Sequence, residues 1–143
     1  IKTSGGKYIS PQAIEVMFKA VCPLASQMFV HADRRNYATA LITLDPDALA
    51  QWARAQGLVE ADYEADYAVL AADQNVHSYV NSTVGELNGR LNRWETIKDF
   101  RILDHDLSVE SGELTPSLKV KRRTMEAKYG TLLDSMYGGQ SRA

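Results

Sequence analysis

Apolar positions along the 143-residue chain change their spacing several times, and each change marks an element. Residues 1–4 and 7–9 form short extended runs around Gly5-Gly6. A glycine pair between two such runs predicts a tight β-hairpin, because both central turn residues can take positive φ. Ser10-Pro11 then offers an N-cap and a first-turn proline. Ile14, Met17, Phe18 and Val21 follow at the spacing of one helical face, and Pro23 ends that helix. Residues 28–30 and 38–44 read as two strands joined through the polar turn Asp33-Arg34-Arg35-Asn36, a second hairpin. Asp45-Pro46 repeats the cap-and-proline signal and opens a helix carrying Leu49, Trp52 and Ala53 that closes near Gly57. Another helix restarts by Tyr67. The longest periodic run, 76–94, puts Val76, Val80, Thr83, Leu87, Leu91 and Trp94 on one helical face. Gly85 and Gly89 lie inside it at a cost of about 1 kcal/mol each relative to alanine, which predicts either close packing against bare backbone or a kink. Residues 97–103 alternate as a strand does. Met125, Tyr129, Leu132, Leu133 and Met136 then mark one face of a terminal helix, and Gly138-Gly139 is expected to end the ordered chain.

Strands and helices interleave without a strict βαβ repeat. This predicts a small mixed α/β (α+β) domain with an N-terminal β-hairpin and a short central sheet packed by helices. The length suits one domain with a real core. A hydrophobic share of 45%, a charged share of 24% and a net charge of −2 are ordinary for a soluble protein and give no general attraction to nucleic acid. The single cysteine, Cys22, excludes an internal disulfide, fits a reducing cytoplasm and is expected as a buried structural thiol. No apolar run approaches the roughly 18 residues of a membrane span, and no signal-peptide pattern is present. The chain opens on Ile1-Lys2 as if inside a strand, so it reads as an excised domain.

Three stretches offer chemistry. Ser4-Gly5-Gly6-Lys7 superficially resembles a phosphate loop, but it lacks the spacing and the following Ser or Thr, and it leads into a strand. Its bare backbone would still let a ligand chain pass where any Cβ collides; a plain hairpin turn is the alternative. His31, His77 and His105 are scattered, and Asp104-His105-Asp106 reads as a surface loop, so no metal site is expected. The third stretch, 112–123, reads GELTPSLKVKRR. If it is extended, Leu118 and Val120 anchor on a core while Lys119 and Lys121 project the other way, aiming cations off an edge. The alternative is a solvated basic turn. Arg34 and Arg35 are expected as exposed surface charge.

The combination of KTSGGKYISPQAIE near the start with GELTPSLKVKRR much later resembles the C-terminal domain of the adenylate-forming enzymes, and more specifically the long-chain fatty acid–CoA ligase branch. The likeness covers essentially the whole chain, including 40–45, the segment LNRWETIKDF at 91–100 and the terminal helix. In much of that superfamily a glycine precedes the lysine of the second motif; Leu118 stands there in this chain, as in the long-chain acyl branch. The resemblance implies an enzyme that joins a fatty acid to ATP with Mg2+, releases pyrophosphate, and passes the acyl group from AMP to coenzyme A. It implies that this domain is a mobile lid working against its own N-terminal domain, which carries the ATP loop and the acyl tunnel and is absent here. Lys119 then matches the lysine that reaches the acyl carboxylate and the α-phosphate. Gly5 and Gly6 line the pantetheine channel, and Lys7 and Lys121 are candidate phosphate contacts. An ammonium about 4 Å from each of two anions offers roughly 4 kcal/mol apiece at an effective dielectric of about 20. No cofactor is expected to bind this domain tightly by itself, and the parent enzyme is compatible with peripheral membrane association.

Two other classes compete. A free-standing module could use 119–123 as an anion patch for RNA or an acidic protein, although no aromatic residues are interleaved with the basic ones. A purely structural domain of a larger assembly would make Lys119 silent.

Overall fold

A computed structural model describes residues 1–60 and 66–138. After a short N-terminal hairpin, the element order is α1 (Pro11–Val21), β1 (Ala25–His31), β2 (Ala38–Leu44), α2 (Pro46–Ala55), α3 (Tyr67–Ala71), α4 (Gln74–Asn88), β3 (Ile97–Ile102), α5 (Arg122–Lys128) and α6 (Gly130–Ser135). The three strands form one sheet in the order β1-β2-β3, with β1 antiparallel and β3 parallel to the central β2. The expected mixed α/β class is borne out.

Every residue of β2 is buried, so both faces of the sheet must be covered. Successive side chains alternate faces. Ala38, Ala40, Ile42 and Leu44 face a core built with Ile14 and Phe18 of α1, Leu49 and Ala53 of α2, and Val76, Val80, Val84 and Leu87 of α4. Leu41, with Phe29 of β1, faces a second core closed by Leu103, Leu107, Leu114, Met125, Leu133, Met136 and Tyr137. The last third of the chain is therefore a lid over the sheet's second face.

Local signals account for most boundaries. Asp45 and Asp73 cap α2 and α4 with their carboxylates, and Gly57 takes positive φ just past α2. Ser10 precedes α1, where Pro11 starts the helix, but its side chain makes no capping bond. Cys22 is buried, as expected.

Five expectations need correction. The run 76–94 is not one helix: α4 stops at Asn88, Gly89 is its C-cap, and Trp94 sits in a separate 3-10 turn, Arg93–Glu95. The cause is Asn88, whose amide nitrogen donates to the Ile97 carbonyl and whose amide oxygen accepts from the Ile97 N–H, at 3.0 and 2.8 Å, tying the helix end to the start of β3. Gly85 faces open space, so no close packing requires it. The terminal helix is likewise two pieces, broken at Tyr129, whose φ of −112° and ψ of 16° are not helical. Arg35 is not surface charge. It is fully buried, paired with Asp134 and stacked 4.3 Å from the Tyr137 ring centre. Of the glycine pair only Gly6 has positive φ, at 82°. Finally, Leu118 does not anchor on a core, as described below. The expected end of order at Gly139 lies outside the described residues.

Two-sided burial makes a checkable claim about β2. Leu41→Ala and Ile42→Ala, on opposite faces, should each cost about 2–5 kcal/mol in urea denaturation; a sheet with one wet face would spare one of them.

Candidate active-site elements

The lysine stretch is a tight hairpin. Leu114 and Val120 form an isolated antiparallel bridge. Between them the Leu118 N–H donates to the Thr115 carbonyl at 2.8 Å, closing a turn through Pro116 and Ser117, and the Thr115 N–H donates to the Lys119 carbonyl at 2.8 Å. The Lys119 N–H donates to the Thr115 hydroxyl at 3.1 Å. A turn of this kind, followed by one left-handed residue, is a common three-residue hairpin loop with glycine at its last position. Here that position is Leu118, with φ 65° and its side chain largely in water. Leu114 is buried in the second core and Val120 packs against it, so the base of the turn is fixed while Lys119, just past its loop, is exposed.

Beneath the turn lies a residue that the sequence left without a role. Glu113 is fully buried, and its carboxylate accepts from the Ser111 hydroxyl at 2.6 Å and from the Tyr129 hydroxyl, and pairs with the Lys128 ammonium at 3.0 Å. His105 Nε2 stands 3.5 Å away. Burial alone would raise its pKa, but the bonds from Ser111, Tyr129, Lys128 and His105 outweigh that and hold it down at about 2. The Glu113 carbonyl accepts the Lys121 N–H at 2.9 Å, so one residue ties the base of the lysine turn to the start of α5. His105 in turn hydrogen-bonds Asp104, which raises its pKa against the opposing effect of burial, with Glu113 adding to the rise.

Lys119 also lines a groove of about 290 Å³ with Val16, Lys19, Met28, Leu118 and Glu15. Glu15 is the acid placed to capture the lysine, yet it is already committed. Its two oxygens accept from the Arg122 guanidinium at 3.1 and 2.9 Å, and one also accepts the Val30 N–H at 2.7 Å. Arg122 further donates to the Val30 carbonyl. Among the described residues Lys119 therefore has no ion-pair partner. Lys121 is exposed at the N-cap of α5.

The N-terminal hairpin is present as expected. Lys2 and Tyr8 bridge antiparallel, and the Thr3 N–H donates to the Lys7 carbonyl at 2.9 Å. Gly5 and Gly6 are exposed at its tip, where an added Cβ would meet nothing nearer than 3.8 Å within the chain. Lys7 rests its ammonium 5.0 Å from the Trp94 ring centre, and the Trp94 indole N–H donates to the Tyr8 carbonyl at 3.2 Å. The groove beside Ile1 and Ile9 shares Gln12 and Arg122 with the groove beside Lys119. Asp106 is spent on structure, accepting from Ser26 and Thr43 at 2.8 and 2.7 Å. Among the described residues no three His, Cys, Asp or Glu side chains converge as a metal site.

Glu113→Gln should cost about 3 kcal/mol at neutral pH, as expected for breaking a buried ion pair. Because the folded-state pKa is depressed, the wild-type advantage is complete above about pH 4.5 and disappears as pH falls through about 2. Denaturant melts of both proteins across that range check it: a gap constant down to pH 2 would remove the carboxylate from this role.

No protein-family model matches the chain. It is 37% identical over 142 residues to a protein of Mycobacterium tuberculosis named as a fatty-acid–CoA ligase, FadD11, covering 99% of this chain and 24% of that one. It is 34% identical to the long-chain-fatty-acid–CoA ligase FadD15 of the same species, covering 96% and 22%, and 30% identical to the peroxisomal long chain acyl-CoA synthetase 7 of Arabidopsis thaliana, covering 95% and 19%. The chain thus spans about a quarter or less of these relatives. Among solved structures, it matches the adenylation domain of a carboxylate reductase from Mycobacterium chelonae with a TM-score of 0.71 at 22% identity, covering 96% of this chain and 19% of that one. It also matches a carboxylic acid reductase didomain from Segniliparus rugosus, in complex with AMP, with a TM-score of 0.69 at 23% identity, covering 96% and 17%. Along almost its whole length the chain is therefore similar to a segment of the fatty-acid–CoA ligases, and it shares the fold of a segment of these carboxylate-reductase proteins.

Proposed function

We propose that the chain is the C-terminal, lid-like domain of an AMP-forming long-chain fatty acid–CoA ligase. The parent's large N-terminal domain supplies the ATP loop and the acyl tunnel. In the first half-reaction a carboxylate oxygen attacks the α-phosphorus of ATP and pyrophosphate leaves; in the second the coenzyme A thiolate attacks the acyl carbonyl and AMP leaves. The observation that carries this reading is the state of Lys119: an exposed lysine just past a turn whose base is fixed to the core, in a groove whose one lining acid, Glu15, is already paired with Arg122. A cation so held costs little reorganisation when two anions must be brought together. With the carboxylate and α-phosphate both negative, its ammonium is the group that reduces their repulsion.

The open tip at Gly5 and Gly6 leaves room for a pantetheine chain to pass, and this is the role we assign to the hairpin in the second half-reaction. Lys7 and Lys121 are assigned as phosphate contacts. The described residues offer no ligand set for Mg2+, which would be held by the nucleotide's phosphates and the large domain. No described helix is long and apolar enough to cross a membrane; we place the parent in the cytoplasm, with peripheral contact as its access to membrane acyl chains.

In the full-length ligase, Lys119→Ala should lower acyl-adenylate formation by about 100- to 1000-fold and leave conversion of supplied acyl-adenylate to thioester within about twofold. Equal loss in both would make the lysine structural. Gly6→Leu should do the reverse, slowing thioester formation from supplied adenylate. Part of that loss comes from forcing leucine into φ 82°, so Gly6→Asn, which tolerates left-handed backbone, separates side-chain bulk from strain. The 143-residue chain alone should form no acyl-CoA.

A further inference from the structure

Leu118 combines two features that disfavour it within this chain. Its backbone is left-handed, at φ 65°, a conformation glycine adopts without strain and leucine does not. Its side chain is 61% exposed, so it recovers little by burial. Val16, on the outward side of α1, is 70% exposed. Both line the groove that holds Lys119, with Met28 and Val120 beneath them and Lys19 on the same lining. Two exposed large apolar side chains thus share a groove with Lys119, which has no ion-pair partner among the described residues.

We propose that this groove seats an apolar, acid-flanked segment of the parent's larger domain, and that Leu118 and Val16 are positioning residues for the adenylation half-reaction. This rests on the assignment of Lys119 given above. Three observations identify the occupant. The chain spans about a quarter or less of its relatives, so most of such a protein lies outside it. Lys119 can act only where that larger part meets this domain, and the apolar pair flanks it directly. Lys19 and Lys119 leave the groove with net positive charge, because the one acid on its lining, Glu15, is already paired with Arg122, which selects a segment bearing carboxylates at its edges. On this account the side chain at 118 is favourable only in the docked pose, where burying it holds the lysine at its target. A glycine would relax the turn but supply no contact.

The test uses the full-length ligase with the two half-reactions assayed separately. Leu118→Asn keeps a residue that tolerates left-handed backbone and removes the apolar surface. It should lower kcat for acyl-adenylate formation about five- to tenfold with the fatty-acid KM unchanged, and Val16→Asn should lower it about threefold. Leu118→Met should retain wild-type rates. Thioester formation from supplied acyl-adenylate should be unchanged in all of them. Val69→Asn, at a site of similar exposure on α3 outside the groove, should alter neither step. Equal slowing of both half-reactions, or of neither, while Lys119→Ala still abolishes adenylation, overturns the docking role and leaves the lysine's role standing. An inert Lys119→Ala overturns the lysine's role itself.

Discussion

Strand β2 has no face in water, and the arrangement of the whole chain follows from that. A sheet buried on both sides needs two covers, and the helices α1 to α4 can supply only one. The other must come from the C-terminal third, after β3 has completed the sheet. This second cover is thin, made of two short helices and a looped hairpin, yet it closes over Phe29 and Leu41 of the sheet with Leu133 of its own. The stretch that bears the candidate lysine is thus part of the wall of a core, which is why its base is fixed.

A thin cover also buries charge, and charge taken out of water must be paired. Arg35 meets Asp134 and the face of Tyr137; Glu113 meets Lys128, Tyr129 and Ser111; Glu15 meets Arg122. These pairings do more than offset desolvation. Glu15, which lines the groove beside Lys119, and Glu113 beneath the turn are each bonded to other donors in this way. This pairing accompanies a Lys119 that has no ion-pair partner among the described residues. It also explains why Glu113 keeps a depressed pKa in a buried site, where an unpaired carboxyl would be pushed up.

Much of the fold was legible in the chain because its punctuation is local. Asp45-Pro46, the Arg34 turn and the alternation in β3 depend on neighbouring residues alone, and they were read correctly. Three of the misreadings involve partners remote in sequence. Nothing near Asn88 reveals that its amide will clasp Ile97 and end the helix. Nothing near Tyr129 reveals that its hydroxyl will reach Glu113, so the terminal helix looks continuous. Arg35 looked like surface charge because Asp134, the residue that lets it be buried, lies 99 positions away. At the candidate site, the motifs pointed to Lys119 and the glycine pair but missed Glu113 and the Arg122–Glu15 clamp. A lone acid just ahead of a basic run, and one more arginine within that run, give no sign of which charges will be spent on structure. Leu118 is different, because its cause is local: strand alternation does not extend across a turn whose left-handed residue reverses the chain.

The two candidate elements share an anchor, and this limits how they can work. The glycine hairpin is tied to the corner after β1, where the Ser4 N–H donates to the Arg35 carbonyl at 2.8 Å and the Arg34 N–H donates to the Lys2 carbonyl at 2.9 Å. The lysine turn leads directly into Arg122, which grips the Val30 carbonyl and Glu15 at the other side of that same corner. Arg35 itself passes beneath to α6 through Asp134. Local opening of either element would break bonds that support the other. On the function proposed above, a step that uses the lysine and a step that uses the glycine turn would be served by moving the two elements together, with the bonds around β1 kept intact.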